Sequence, residues 1–328
     1  MTNHNAPLRR RAFLRLAAGA AALPFIPRGA AAADYPTRTI RIICGFVAGQ
    51  LPDVGTRLIA QALSVRLGQQ VIVDNRPGAG TNIATDMVAR AEPDGYTLLV
   101  LTSSNTTNAS LYSNLKFDIV RDFVPVATTF RSALVLEVNP SVPVKTTAEF
   151  IAYAKANPGK INYASPGVGT LPHVAGELFR ALTGVDIVHV PYRAAYLPDL
   201  LAGQVHAAFS PISTSLDFIA QGKLRPLGVT SEARADVLRD VPALAEAVPG
   251  YAAYIWDALA APKDTPPEVV ATLNREINAV LADPAVRGRL IALGADPLVM
   301  SAADAAKFVA DETAKWGKVI RNAGIKAD

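Results

Sequence analysis

The sequence predicts a two-lobed α/β protein, and three observations carry that prediction. Short β-branched runs alternate with amphipathic helical stretches along nearly the whole chain, the pattern of βα units around a mostly parallel sheet. Two extended stretches, Val124 to Asn139 and Tyr251 to Pro262, lack the helix expected between strands of one lobe and read as two interlobe crossovers. The chain has 328 residues, half of them hydrophobic, which is enough for two cores of ordinary size. The expected organisation is a leader over 1–33, lobe 1 over 34–130 and 255–328, and lobe 2 over 131–254. Two crossovers make a hinge beside a cleft, and open α/β sheets bind ligands beyond the carboxyl ends of their strands.

The leader comes first. Arg9, Arg10 and Arg11 form a basic head, and Arg10-Arg11-Ala12-Phe13-Leu14 has the look of a twin-arginine export signal. The apolar core that follows is shorter than the roughly 18 residues a membrane span needs, and Ala31-Ala32-Ala33 offers small residues for cleavage near Ala33. An exported, periplasmic mature chain is therefore expected. The formal charge of the whole chain is +4, and the leader holds five arginines and no acid, so the remainder sits near −1. No Lys/Arg block survives to grip a phosphate backbone, which excludes nucleic acid as the expected partner. Cys44 is the one cysteine and has no internal disulfide partner.

The elements then follow in order. Thr39 to Cys44 reads as a strand, and Val54 to Leu67 as a helix with Val54, Leu58, Ala62 and Val65 on one face, closed by Gly68. Gln70 to Val73 is the next strand, Thr81 to Ala91 a helix and Tyr96 to Leu101 a buried strand. Thr146 with Glu149 makes a capping box, and its helix stops before Asn157-Pro158-Gly159. Ile187 to Val190, Val205 to Phe209 and Leu227 to Thr230 are short strands. Thr265-Pro266-Pro267-Glu268 reads as an N-cap and first turn, and Ser301 with Asp304 opens the last helix, which ends near Gly324.

Three strand ends hold candidate chemistry. Gly45 to Asp53, with Phe46, Ala48, Gly49 and Gln50, is a glycine-punctuated loop feeding a helix start, where free N–H groups and the helix dipole suit an anion. Ser165 to Thr170 leads into a helix carrying His173 in the same way. Thr102-Ser103-Ser104-Asn105 is a third, hydroxyl-rich end. Ordinary βα loops with capping hydroxyls would look alike one at a time. Enzyme signatures are missing: there is no Gly-x-Ser-x-Gly elbow, no Gly-x-Gly-x-x-Gly and no His-Glu-x-x-His, so neither cofactor nor metal is expected. The alternative is a secreted hydrolase using Ser165 or Thr170 with His173, for which no orienting acid is evident.

A set of ordered phrases adds a resemblance. Asn75-Arg76-Pro77-Gly78-Ala79-Gly80, Pro93-Asp94-Gly95-Tyr96-Thr97-Leu98-Leu99, Asn157-Pro158-Gly159-Lys160, His189-Val190-Pro191-Tyr192-Arg193, Leu200-Leu201-Ala202-Gly203-Gln204-Val205 and Asp240-Val241-Pro242 occur in this order. The mature chain thereby resembles the Bug-type receptors, extracytoplasmic solute-binding subunits of tripartite tricarboxylate transporters. The resemblance implies a type II periplasmic-binding-protein fold without catalysis. It also implies a small carboxylated solute between the lobes, delivery to membrane permease subunits and, in part of the family, signalling to a sensor kinase. It assigns the solute's carboxylate to Ala48, Gly49 and Asp53 in the first loop and to Ser165, Gly169, Thr170 and His173 in the second. Phe46, Gln50, Thr102, Ser103, Tyr192 and Ser210 complete the expected binding set. Two departures are visible. The family's usual Pro-Ala-Gly-Gly is replaced here by Val47-Ala48-Gly49-Gln50-Leu51-Pro52, so Pro52 removes a donor and Gln50 adds a side chain. The stretch from Tyr192 to Asp199 is shorter than usual and lacks the familiar glycine, with Ser210 in a slot where the family often has Asp.

Overall fold

The computed structural model describes residue 2, residues 35–192 and residues 195–326. The expected leader with its Ala33 cleavage site, and Arg193 with Ala194, lie outside the described residues.

Strand β1 (Ile40–Cys44) is followed by α1 (Leu51–Leu67), β2 (Val71–Asn75), α2 (Asn82–Ala89), β3 (Thr97–Thr102) and α3 (Ser103–Leu111). A long strand β4 (Phe123–Val138) leads to α4 (Thr147–Ala156), β5 (Ile161–Ser165), α5 (Leu171–Thr183), β6 (Ile187–Pro191), α6 (Leu197–Leu201), β7 (Ala207–Pro211), α7 (Ile212–Ala220) and β8 (Arg225–Val229). The chain closes with α8 (Leu244–Ala247), β9 (Tyr254–Pro262), α9 (Pro267–Ala282), α10 (Pro284–Ala292), β10 (Asp296–Pro297) and α11 (Ala302–Ala323). The strands order as β2-β1-β3-β9-β4-β7-β5-β6, with β8 and β10 added alongside β4.

The two stretches expected as crossovers are β4 and β9, and they pair with each other antiparallel from Phe123↔Pro262 to Ala133↔Tyr254. Beyond that point β4 changes partners and pairs with β7 and β8 from Leu134 onward. One continuous strand thus serves two half-sheets. The first half-sheet carries a core of Ile43, Leu99, Leu101, Trp256 and Val309, and the second a core of Leu134, Phe150, Tyr163, Phe179, Phe209 and Trp316. Helix α11 supplies Val309 to the former and Trp316, Val319 and Ile320 to the latter, a third link that the sequence reading did not foresee. Glu312 sits between them: its Oε2 accepts from Trp256 Nε1 at 3.2 Å and from Trp316 Nε1 at 2.8 Å.

Two local expectations are corrected. Helix α1 starts at Leu51, three residues earlier than expected, because a proline in the first turn costs no hydrogen bond. Its buried side runs through Gly55, Leu58, Ile59 and Leu63, whereas Val65 is 83% exposed. Thr265 is not an N-cap: its hydroxyl donates to Pro262 O at 2.7 Å, and α9 begins after Pro266. The short-range caps held elsewhere, with Thr146 Oγ1 accepting from Glu149 N and Ser301 Oγ from Asp304 N.

Candidate functional site

Two helices, one in each half-sheet, open in the same way. Gly49-Gln50-Leu51-Pro52-Asp53-Val54 starts α1, and Gly169-Thr170-Leu171-Pro172-His173-Val174 starts α5. Both glycines take positive φ, 89° and 77°, which turns the chain sharply into the helix. Gln50 and Thr170 are the N-caps, both extended and neither capping through its side chain. In each loop the residue four beyond the glycine accepts the glycine N–H: Asp53 Oδ2 from Gly49 N at 2.9 Å, and His173 Nδ1 from Gly169 N at 2.9 Å. Both helices then present amides that find no partner among the described residues, those of Leu51 and Asp53 in α1 and those of Leu171 and His173 in α5. Such amides, with the positive end of the helix dipole, make an anion-holding surface.

The braces behind the loops differ. Asp53 is buried, and its Oδ1 accepts from Arg57 Nε at 2.8 Å and Asn75 Nδ2 at 2.9 Å. Burial raises its pKa, but the Gly49 amide, Asn75 and Arg57 together outweigh that and hold it below the usual aspartate value. Asn75 Nδ2 also donates to Phe46 O at 3.0 Å, which fastens the loop's other end. His173 stacks on His189 with ring centroids 3.6 Å apart. Burial, and then the charge of Arg180, push His173 down to about 4; burial and the neighbouring His173 push His189 down to about 3. Both rings are therefore neutral at pH 7, and the 3.9 Å approach of His173 Nε2 to Glu177 is not an ion pair. Glu177 is instead paired with Arg180 at 2.8 Å and accepts from Tyr163 Oη at 2.7 Å.

The remaining expected residues are placed as follows. Ser165 Oγ lies 2.6 Å from His189 Nε2 and accepts from Gly167 N at 3.1 Å, with the residue fully buried. Thr170 Oγ1 donates to Gly167 O at 2.7 Å, so its proton is spent inside the loop. Thr102 caps α3, exchanging bonds with Ser104 N and Asn105 Oδ1, while Ser103 is buried in the first turn of that helix. Tyr192 donates its amide to Ser165 O and its hydroxyl to Asp199. Ser210 is fully buried, accepting from Tyr196 Oη at 2.9 Å and bonding to Glu137, whose burial lifts its pKa to about 7 against the two serine bonds it receives. The side chains of Asp53, Thr102, Ser165, Thr170, His173 and Ser210 are thus engaged within the protein. Ala48, Gly49 and Gln50 are exposed on the first loop and Gly169 on the second packs against Leu111 at the end of α3.

Sequence reasoning missed the supports Arg57, Asn75 and Glu177. The doubled Gly-x-Leu-Pro-x-Val phrase was the signal that could have paired the two loops. A fully buried Ser165 beside a neutral His189 does not give the exposed nucleophile that the hydrolase alternative requires. Two surface hollows of about 580 and 410 Å³ lie elsewhere, along α9 and α11 and between α1 and α10, and include none of the expected residues.

Residues 56–325 match the description "Tripartite tricarboxylate transporter family receptor". Protein BugT of Bordetella pertussis is 37% identical over 297 residues, covering 89% of this chain and 91% of that protein. The solved structure of Rpa4515 from R. palustris, with adipate, is 37% identical with a TM-score of 0.76 and covers 89% of this chain and 99% of its own. MatC (Rpa3494) from Rhodopseudomonas palustris, with bound malate, is 31% identical with a TM-score of 0.72, covering 87% and 100%. The chain belongs to the tripartite tricarboxylate transporter receptor family, and its α/β fold is the two-lobed one of periplasmic solute-binding proteins.

Proposed function

We propose that this member of the receptor family captures a small organic carboxylate between its lobes in the periplasm and hands it, unchanged, to the membrane permease subunits of a tripartite transporter. One observation carries the reading: two helices from different half-sheets open with unpartnered amides behind the same glycine turn. A carboxylate is one of the anions that such helix starts hold. Two of them make a dicarboxylate the first class to try, in keeping with the adipate and malate found in two relatives. In this reading the backbone of Phe46 to Asp53 and of Ser165 to His173 holds the solute, and the buried hydroxyls, Asp53 and His173 hold the backbone. Ser103, Tyr192 and Ser210 form the second layer. The lobes run over 34–130 with 255–328 and over 131–254, supported by the change of partners along β4 near Ala133.

The test is a thermal-shift screen of mono-, di- and tricarboxylates on the mature chain. A solute at a hundred times its Kd stabilises by about 2.7 kcal/mol. A shift with at least one dicarboxylate, recovered chemically intact, is expected; turnover of the solute, or no shift with any carboxylate, would count against the receptor. Export by the twin-arginine route predicts that replacing Arg10 and Arg11 together by lysine leaves precursor in the cytoplasm, as read by cell fractionation.

A further inference from the structure

Asp257 lies in the middle of β9, fully buried, and neither of its carboxyl oxygens finds a hydrogen-bond partner among the described residues. Buried polar groups are nearly always paired, so a carboxyl with both oxygens idle needs a reason. Glu137, also fully buried, has Ser210 and Ser215 to satisfy it in part. Burial alone pushes the Asp257 pKa well above the usual aspartate value.

Its position is given by register. Asp257 stands opposite Thr102 on β3 and opposite Phe130 on β4, so the three side chains share one face of the sheet. That face is the one α1 covers, since a Cβ on Gly55 would come within 2.5 Å of the Phe130 ring. Thr102 is the last residue of β3, so Asp257 sits at the carboxyl end of the parallel strands and under the first turns of α1. The Cys44 thiol at the end of β1 lies within electrostatic reach of Asp257 and, separately, of Asp53 and Arg57. Cys44 on β1 is the titratable group within its electrostatic reach, while β3 and β4 present Thr102 and Phe130. Arg57 is committed to Asp53 and Asn75.

We propose that Asp257 is a specificity-determining residue of the cleft, its carboxylic acid O–H donating to a carboxylate oxygen of the bound solute beneath the start of α1. The proposal rests on the receptor reading above and names a partner for the solute that the loops do not supply. The unpartnered amides of α1 and the idle acid converge on one kind of guest. An anion suits both, since an un-ionised acid donates to a carboxylate through a strong, charge-assisted bond. A cationic guest would suit the acid only if it ionised in a buried site, and would be repelled by the helix start.

The experiment compares the wild-type mature chain with Asp257→Asn and Asp257→Leu by calorimetric titration with adipate and malate. Asparagine keeps an N–H donor in the same place, and leucine keeps the volume without a donor. Asp257→Asn is expected to stay within a few-fold of wild type, and Asp257→Leu to lose about tenfold to a hundredfold in affinity. Should Asp257→Leu melt below wild type, Asp257→Ala replaces it in the comparison. Equal affinity of all variants would overturn the proposal, because Asp257 would then not touch the solute. Loss in Asp257→Asn as deep as in the apolar variant would also overturn it, since a carboxylate acceptor would be required. A gain of more than tenfold in Asp257→Asn would do so too, by revealing an ionised acid that repels the guest. Failure of wild type to bind adipate, malate or any other carboxylate would break the receptor reading itself, and the proposal with it.

Discussion

The loops that open α1 and α5 share a glycine turn, a leucine-proline first turn and an acceptor four residues past the glycine, yet they are braced by opposite chemistry. The first is held by a carboxylate that is buried, ionised and fed by Arg57, Asn75 and the Gly49 amide. The second is held by a neutral imidazole that is stacked on another neutral imidazole and tied through it to Ser165. The backbone conformation is what the helix starts need in common; the brace is free to differ because either group can accept an N–H. The surroundings differ as well. A side chain on Gly49 would meet nothing within 4 Å, whereas one on Gly169 would run into Leu111 of α3.

The widest gap between the loops is therefore expected from one substitution made twice. Gly49→Ala carries only the strain of a left-handed residue, about 1–2 kcal/mol. Gly169→Ala carries the same strain plus overpacking against Leu111, about 1–3 kcal/mol more. Denaturant titration of both variants checks the ranking. Equal losses would mean that α3 gives way and that loop two is not packed as tightly as the geometry requires.

Acid should separate the loops next. A histidine whose folded pKa lies below its unfolded value of 6.5 is protonated more readily in the unfolded chain, so stability falls as pH drops from about 6.5 toward the folded value near 4. His189, lowered to about 3, acts in the same direction. For His173 the loss is on the order of 3 kcal/mol once pH is below both values. Asp53 behaves differently: its folded pKa is held below 3.8, so its contribution persists above that value and is lost only as pH falls through the folded pKa. Loop two should thus loosen before loop one. Melting temperatures from pH 7 to 4 should fall less steeply in His173→Gln, which keeps an acceptor for Gly169 N–H without a titrating ring. An unchanged slope would mean that the histidine is not held neutral.

What could be read from sequence follows the range of the interactions. The caps at Thr146 and Ser301 were legible because donor and acceptor lie three residues apart. The extended character of β4 and β9 was legible, but their pairing with each other was not, since it joins residues more than a hundred positions apart. The buried side of α1 was misread because Gly55 packs directly against Phe130 of the sheet, and glycine adds nothing to a hydrophobic pattern. In the site, the two glycine loops were visible as local turn chemistry. Their braces were not: Asn75 reaches Asp53 from 22 residues away, and His189 reaches Ser165 from 24. Nor could any local pattern show that the hydroxyls of Thr102 and Thr170 are spent within the protein rather than offered to a solute.

The smallest effect on stability should come where the two loops differ at the surface. Gln50 and Thr170 occupy the same N-cap position, and neither bonds to its helix through its side chain. Thr170 folds its hydroxyl back onto Gly167 O, leaving a compact edge. Gln50 is exposed and longer, and it stands beside the idle amides of Leu51 and Asp53. If those amides hold a carboxylate, the Gln50 side chain limits the shape of what can reach them. Gln50→Gly should then shift the ratio of adipate to malate affinity severalfold, while the free protein's stability changes by about 0.5 kcal/mol or less, as expected for an exposed position where glycine is an accepted cap. Calorimetric titration beside a melting curve gives both readings. An unchanged affinity ratio would place the solute away from the start of α1, and the likeness between the two loops would then be one of folding alone.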